Sequence, residues 1–372
     1  VIFHIHVGPN IRKSAYFDAT VADGVRSFSV YNHMYIPGNF GDPAAEYDRL
    51  INGVAMWDVA AQRQVELRGP DAGRLAQILT PRNLANTKIG QGRYVPLCDH
   101  DGRLINDPVL LKLADDRYWL SVADSDVHLW AAAVGRERGL AVDVSEPDVS
   151  PLAIQGPKAG DVAEALFGSW VRDLRYFWFR ETDLAGIPLV LARSGWSKQG
   201  GFELYLTDRT RGSELWQRVK AAGAPFGIGP GAPNDTERLE SGLISYGADM
   251  RHQTHAANPY EMGFGAMIDL KADHDFIGRA ALERIAAQGR TRRWTGFVLD
   301  GPEAALPGHQ VDLILDGAAV GYFSETTWSP RLNRNIGVGM VSMAVADDAD
   351  GLTAALPGDP CSARIHPLPF IR

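Results

Sequence analysis

The chain has little cysteine: Cys98 and Cys361 are its only two in 372 residues. They lie far apart with no paired spacing, which removes a zinc ribbon or a disulfide framework and fits a reducing compartment. No run reaches the roughly 18 to 20 apolar residues that a membrane span needs. The opening VIFHIHV lacks the charged region and cleavage site of a signal peptide. It reads as a first strand, with His4 and His6 on one face, where a metal is the less favoured alternative. A formal net charge of −8 argues against a general nucleic-acid or anionic-membrane surface. What remains is a cytoplasmic protein working on small molecules, with a homodimer left open.

Several catalytic signatures are missing too. There is no HExxH and no G-x-S-x-G. GIGPGAPND, residues 227–235, carries Pro230 among Gly227, Gly229 and Gly231; the G-x-G-x-x-G spacing fails, and the segment reads as a turn before a capped helix. GPK at 156–158 lacks the remainder of a P-loop. His252 and His255 sit three apart in what reads as a loop, a weak metal pair.

What is present is ordinary globular composition, 45% hydrophobic and 22% charged, at a length for two or three domains. Helices are expected at 44–53, at 70–79 with Pro70 at the first helical position, at 213–223 closed by Gly223, and at 278–289 between glycines. Residues 233–247 read as a longer helix, with Asn234 as N-cap, Glu237 completing a capping box and Gly247 as its stop. VAMWDVA, QVELRG and 116–123 read as strands, and DHDG with Gly102 as the turn of a hairpin within 92–113. SPLAIQ leads through a Gly-Pro turn into another helix. Beyond about residue 290, short strands at close spacing predict a separate antiparallel β-domain, a barrel or a sandwich. The fold class is α+β.

Three features carry chemistry. In SGWSKQGGFELYL, residues 194–206, Phe202, Leu204 and Leu206 fall on one strand face, with Glu203 and Tyr205 on the other. A solvated face is the plain explanation for that carboxylate beside a phenol; a binding site is the other. Asp107 interrupts an apolar strand between Asn106 and Pro108, where it either faces a cavity or caps its own turn. Aromatic residues cluster at element edges, among them Trp57, Trp178, Trp196, Tyr31, Tyr35 and Tyr205; most such rings are core, but around a cleft they stack on a heterocycle or cage a cation.

WDVA at 57–60, NDP at 106–108, IQGPKA at 154–159, ERLESGLISYGADM at 237–250 and SPRLNRNIGVGMV at 329–341 run in an order that resembles the tetrahydrofolate-dependent aminomethyltransferase family, represented by the T-protein of the glycine cleavage system. The likeness spans about residue 20 to the C-terminus. It implies a three-domain cloverleaf with folate in a central channel: a folate-binding region over 1–290, made of two interleaved α+β domains, and a C-terminal β-barrel over 291–372. SGWSKQGG, YNHM at 31–34, WDVA and the ending LPF-I are similar to the branch of dimethylsulfoniopropionate demethylases. On that resemblance Glu203 binds the pterin ring with Tyr205 beside it, Asp107 is the catalytic acid near the reactive nitrogens, and Tyr94 and Arg238 lie near the folate. Trp178, Trp196, Tyr31 and Met34 are the candidates for holding a sulfonium, with Lys198 for its carboxylate. The implied reaction moves a methyl group from sulfur to folate N5, with no metal. Two alternatives stay open: a folate-dependent transferase acting on a methylated amine, a betaine or an aminomethyl carrier, and a folate-binding protein without catalysis.

Overall fold

The computed structural model describes residues 8, 10–303, 310–355 and 361–372; the expected strand at the N-terminus, with His4 and His6, lies outside them. The chain divides into two compact units, each assembled from separated stretches.

The first unit comprises Val1–Ala72, Thr87–Arg93 and Val109–Pro233. Its centre is a six-stranded sheet in the order Phe179–Leu184, Ile187–Ala192, Gly201–Leu206, Ser150–Gln155, Ala55–Asp58, Gly229–Gly231. All neighbours are antiparallel except the last pair. Gly229–Gly231, expected as a turn, is therefore an edge strand, where Pro230 costs no central ladder bond. One face of the sheet buries Met56, Ile154, Leu191, Leu204 and Leu206 together with Leu215, Trp216 and Val219 of the helix Gly212–Gly223 and Val162 and Ala163 of Ala159–Phe167. The opposite face presents Val190, Ala192 and Tyr205 to Leu111, Leu113 and Trp119, which belong to a five-stranded sheet containing Gln64–Arg68, Val109–Ala114 and Arg117–Ser121. Period-two alternation along Gly201–Leu206 thus feeds two cores at once.

The N-terminal segment is tied down through Asp58. Its carboxylate accepts from Ser14 Oγ at 2.5 Å and from the Ala60 N–H at 3.1 Å. Burial pushes its pKa up to about 6, with both hydrogen bonds pulling it back. The WDVA motif is accordingly an anchor for residues 12–16.

The second unit comprises Gly73–Asn86, Tyr94–Pro108 and Asn234–Arg372. The expected hairpin is there, Leu97–Cys98 paired with Leu104–Asn106 around Gly102 at φ +76°. The helix beginning at 70 starts two residues later, at Ala72–Leu79. The helix expected over 233–247 is only Asp235–Glu240. Asn234 does cap it, accepting from the Glu237 N–H at 2.9 Å, but Glu237 turns its carboxylate to the Ser241 hydroxyl at 2.6 Å instead of closing the box. Gly242 at φ +62° then ends the helix. This short helix is packed through Leu239 against Ile336 and Val338.

Those two residues belong to a closed antiparallel barrel of six strands: Arg292–Leu299, Arg334–Ser342, Ala318–Ser329, Val311–Leu315, Thr353–Ala354 and Cys361–His366. The fold is thus α+β with a C-terminal barrel, as expected. At one crossing the strands approach too closely for any side chain: a Cβ on Gly339 would lie 2.0 Å from the Tyr322 carbonyl oxygen. Gly339→Ala is expected to destabilise the barrel by about 2 to 4 kcal/mol. A fall in the midpoint of thermal unfolding checks this; an unchanged midpoint would show that the strands separate at little cost.

Candidate functional site

Glu203 answers to neither a solvated face nor a simple core position. It is 5% exposed, and its strand neighbours Phe202, Leu204, Tyr205 and Leu206 are all buried. The carboxylate lies on the face turned toward the five-stranded sheet, beside Ala192 and Ala153, whose small side chains leave it room. Ser194 Oγ donates to its Oε2 at 2.5 Å and the Tyr205 hydroxyl donates to the same oxygen at 3.1 Å. Oε1 takes no hydrogen bond from the described residues.

The donors continue outward. Gln64 Nε2 donates to Ser121 Oγ at 3.1 Å, and Ser121 in turn hydrogen-bonds Tyr205. Since a carboxylate only accepts, the chain has one consistent sense: Gln64 N–H to Ser121, Ser121 O–H to Tyr205, Tyr205 O–H to Glu203. Each donor polarises the next toward the anion. Burial raises the Glu203 pKa, and the Ser194 and Tyr205 hydroxyls draw it back. Burial also holds the Tyr205 phenol well above its ordinary range.

Ser194 is placed by its own loop. Gln155 Nε2 donates to the Ser194 carbonyl at 3.2 Å, and Ser197 Oγ donates to Gln155 Oε1 at 2.8 Å. A Cβ on Gly201 would fall 2.2 Å from Gln155 Nε2, so the glycine makes room for the amide that braces the loop. Trp196, half-buried, and Lys198, exposed, sit on this same loop. Trp178, half-buried, bridges to Gln91 just before the strand Phe179–Leu184. Met34 belongs to the helix-side core, with Tyr31 packed against it.

In the second unit, Asp107 lies between Asn106 and Pro108 and is 8% exposed. The Tyr94 hydroxyl donates to its Oδ2 at 2.5 Å, and the Tyr94 ring meets Phe264 edge-on at 5.5 Å. Asp107 is therefore held by a side chain as well as by its own backbone N–H. Burial lifts its pKa to about 7, against the pull of Tyr94 and with a further push from Asp249. Asp249, which the sequence reading passed over, is itself buried; Arg238 Nη1 reaches it at 2.9 Å, Ser324 Oγ donates at 2.6 Å and the Ser245 N–H at 2.8 Å. Arg238 has no exposed surface, its guanidinium also reaching Asp235 and the Leu243 carbonyl. Glu325 lies near the same guanidinium and is raised to about 7, chiefly by burial. His252 stands 2.8 Å from Asp99, and no group of three or more metal-ligating side chains occurs among the described residues.

Asp107 has a consequence for stability. Between its ordinary value of 3.8 and about 7 the folded protein keeps a proton that the unfolded chain has lost. Stability therefore falls as pH rises through that window. The stability advantage of Asp107→Asn over the parent is expected to grow by about 2 to 3 kcal/mol between pH 5 and pH 8. Urea unfolding at the two pH values checks this; an advantage equal at both would mean that the carboxylate ionises without penalty.

Two family descriptions match the chain: the GCVT N-terminal domain over residues 16–272 and the glycine cleavage T-protein C-terminal barrel domain over residues 292–371. A dimethylsulfoniopropionate demethylase, DmdA, of Ruegeria pomeroyi is 41% identical over 351 residues, 93% of this chain and 94% of its own. An aminomethyltransferase of Halothermothrix orenii is 28% identical over 367 residues, 97% and 100% of the two chains. The crystal structure of the glycine cleavage system aminomethyltransferase T from Bartonella henselae has the same fold, with a TM-score of 0.83 over 97% of this chain and 98% of that one at 21% identity.

Proposed function

The chain belongs to the glycine cleavage T-protein family, and on that footing we propose that it is a tetrahydrofolate-dependent demethylase taking a methyl group from the sulfonium of dimethylsulfoniopropionate. The likeness to the Ruegeria pomeroyi demethylase along nearly the whole chain carries the choice of donor. Sulfur keeps the electron pair of the broken C–S bond and leaves as a neutral thioether. Tetrahydrofolate, when bound, supplies the secondary amine nitrogen that takes the methyl group and gives up its proton.

The residues present suit that group. Glu203 offers a buried carboxylate with one oxygen anchored and the other unpaired, an acceptor for the ring and amino N–H groups of a pterin. Tyr205 and Ser194 position it. Asp107, with a pKa near 7, is matched to taking a proton at neutral pH, and Tyr94 orients it. Arg238 acts through Asp249 on the same carboxylate. In-line displacement needs little acid–base help at carbon, so orientation and exclusion of water supply most of the rate, about 7 to 11 kcal/mol in well-oriented systems. Trp178 and Trp196 are assigned to the sulfonium at about 0.5 to 2 kcal/mol per ring; Tyr31 and Met34 pack in the helix-side core, on the sheet face away from Glu203, and do not join them. Lys198 is assigned to the donor's carboxylate. Both cysteines are free and no described helix is long and apolar enough to cross a membrane, which supports a cytoplasmic site of action.

Anaerobic incubation of the purified chain with tetrahydrofolate and dimethylsulfoniopropionate is expected to yield 5-methyltetrahydrofolate and the thioether by mass spectrometry. Asp107→Ala should remove turnover while folate still binds. Glu203→Gln should weaken folate binding about 10- to 100-fold. Full turnover in both variants, or no product from the parent, would defeat the assignment.

A further inference from the structure

The stretch RYFWFR, residues 175–180, holds a backbone conformation that its side chains do not favour. The Trp178 N–H closes a turn onto the Arg175 carbonyl at 2.9 Å. The Phe177 N–H then donates to the Arg193 carbonyl, and the Arg193 N–H to the Trp178 carbonyl, both at 2.9 Å. Two residues, Phe177 and Trp178, thus stand opposite one, a β-bulge just before the strand Phe179–Leu184. Phe177 takes its first position, at φ +60°. Glycine is the relaxed residue there, and a bulky aromatic side chain in the left-handed region is strained.

The strained turn presents a pair of rings. The Gly92 N–H donates to the Phe177 carbonyl at 2.6 Å, and a Cβ on Gly92 would lie 3.4 Å from Cδ1 of the Phe177 ring, which therefore sits close over bare backbone. Phe177 is half-buried, Tyr176 is 58% exposed, and their ring centroids are 4.5 Å apart with the planes at 58°. Strand register sets where this pair stands. Phe179, Ala192 and Glu203 lie side by side across three strands. The bulge adjoins Arg193, the residue before the Ser194 whose hydroxyl anchors Glu203. Partial burial of the Tyr176 phenol and the nearby charge of Glu203 hold its pKa above the ordinary range.

We propose that Tyr176 is a further residue of the ligand site, laying its ring on the face of the heterocycle whose N–H groups meet Glu203, and that Phe177 positions it. The choice of heterocycle rests on the function proposed above. A flat ring whose edge is taken up by a carboxylate still has its faces to cover, and aromatic stacking is the contact that suits them. The tilted Phe177 ring restricts Tyr176 before the ligand arrives, so less side-chain freedom is lost on binding. Phe177 is for that reason kept where glycine would relax the chain. Dimethylsulfoniopropionate has no flat face to stack, so Tyr176 bears on the folate and not on the methyl donor.

The test is calorimetric titration of the intact chain with tetrahydrofolate, without oxygen, together with the KM for dimethylsulfoniopropionate. Tyr176 is exposed, so its truncation spares the core. Tyr176→Ala is expected to weaken folate binding about tenfold and to leave the KM for the donor unchanged, whereas Tyr176→Phe binds like the parent. Phe177→Gly is expected to weaken folate binding in the parent and not in the Tyr176→Ala background, since it acts through that ring. Equal losses in both backgrounds would show that Phe177 supports the fold and not the ring, and overturn its positioning role. Folate binding that Tyr176→Ala leaves intact, or a loss confined to the donor's KM, overturns the stacking contact, while product formation keeps the function standing. A parent that binds no tetrahydrofolate overturns the function, and the stacking contact with it.

Discussion

The packing between the two sheets of the first unit is arranged around a carboxylate that burial penalises. A carboxylate between two sheets loses its hydration, and the loss is tolerable only when donors replace the water. Glu203 obtains them from Ser194 on its own loop and from Tyr205 two residues along its strand. Ser121 and Gln64 back Tyr205 from the opposing sheet. The two sheets are consequently joined by a directional line of hydrogen bonds as well as by the packing of Trp119 against Tyr205. Small partners at Ala153 and Ala192, and glycine where Gln155 passes beneath the loop, follow from the same need for room.

The second unit solves a related problem by a different route. Asp249 and Arg238 are both fully buried and paired. Such a pair adds little net stability over an apolar core, but loss of one partner strands the other charge at a cost of about 3 to 5 kcal/mol. Its value here is positional. Asp249 presses on Asp107 from a fixed point, and Arg238 fixes that point from the short helix. An early stop of that helix at Gly242 lets the chain turn back so that Asp249 returns to Arg238.

Local rules read much of this from the sequence. Alternation placed Glu203 and Tyr205 on one face, Asn234 announced a helix start, and the short, closely spaced strands beyond 290 foretold an antiparallel β-domain. Local rules could not show which face of the Gly201–Leu206 strand was dry, because both faces are covered and only the tertiary fold supplies the second cover. They overran the 233–247 helix, since they put its stop at Gly247, whereas Ser241 and Gly242 break it. They missed Gln64, Ser121 and Asp249 because those residues act on partners far along the chain. Each is a polar residue in or beside an apolar stretch, which is a signal, though one that names no partner.

The two carboxylates are both raised by burial, and their different neighbours bear on their roles. Glu203 accepts from two hydroxyls, one at the end of a polarised chain, while Asp107 accepts from one hydroxyl and its own backbone N–H and has a second carboxylate pushing it up. A group surrounded by donors is suited to receive N–H groups, whose arrival completes its coordination and favours its anionic form. A group poised near 7 is suited to exchange a proton. Interchanging the environments would spoil both functions: an Asp107 ringed by donors would be too weak a base, and a Glu203 facing another carboxylate would take up a proton and present a donor to the ligand's own donors. Different surroundings for the same functional group are what suit one carboxylate to binding a heterocycle and the other to accepting a proton.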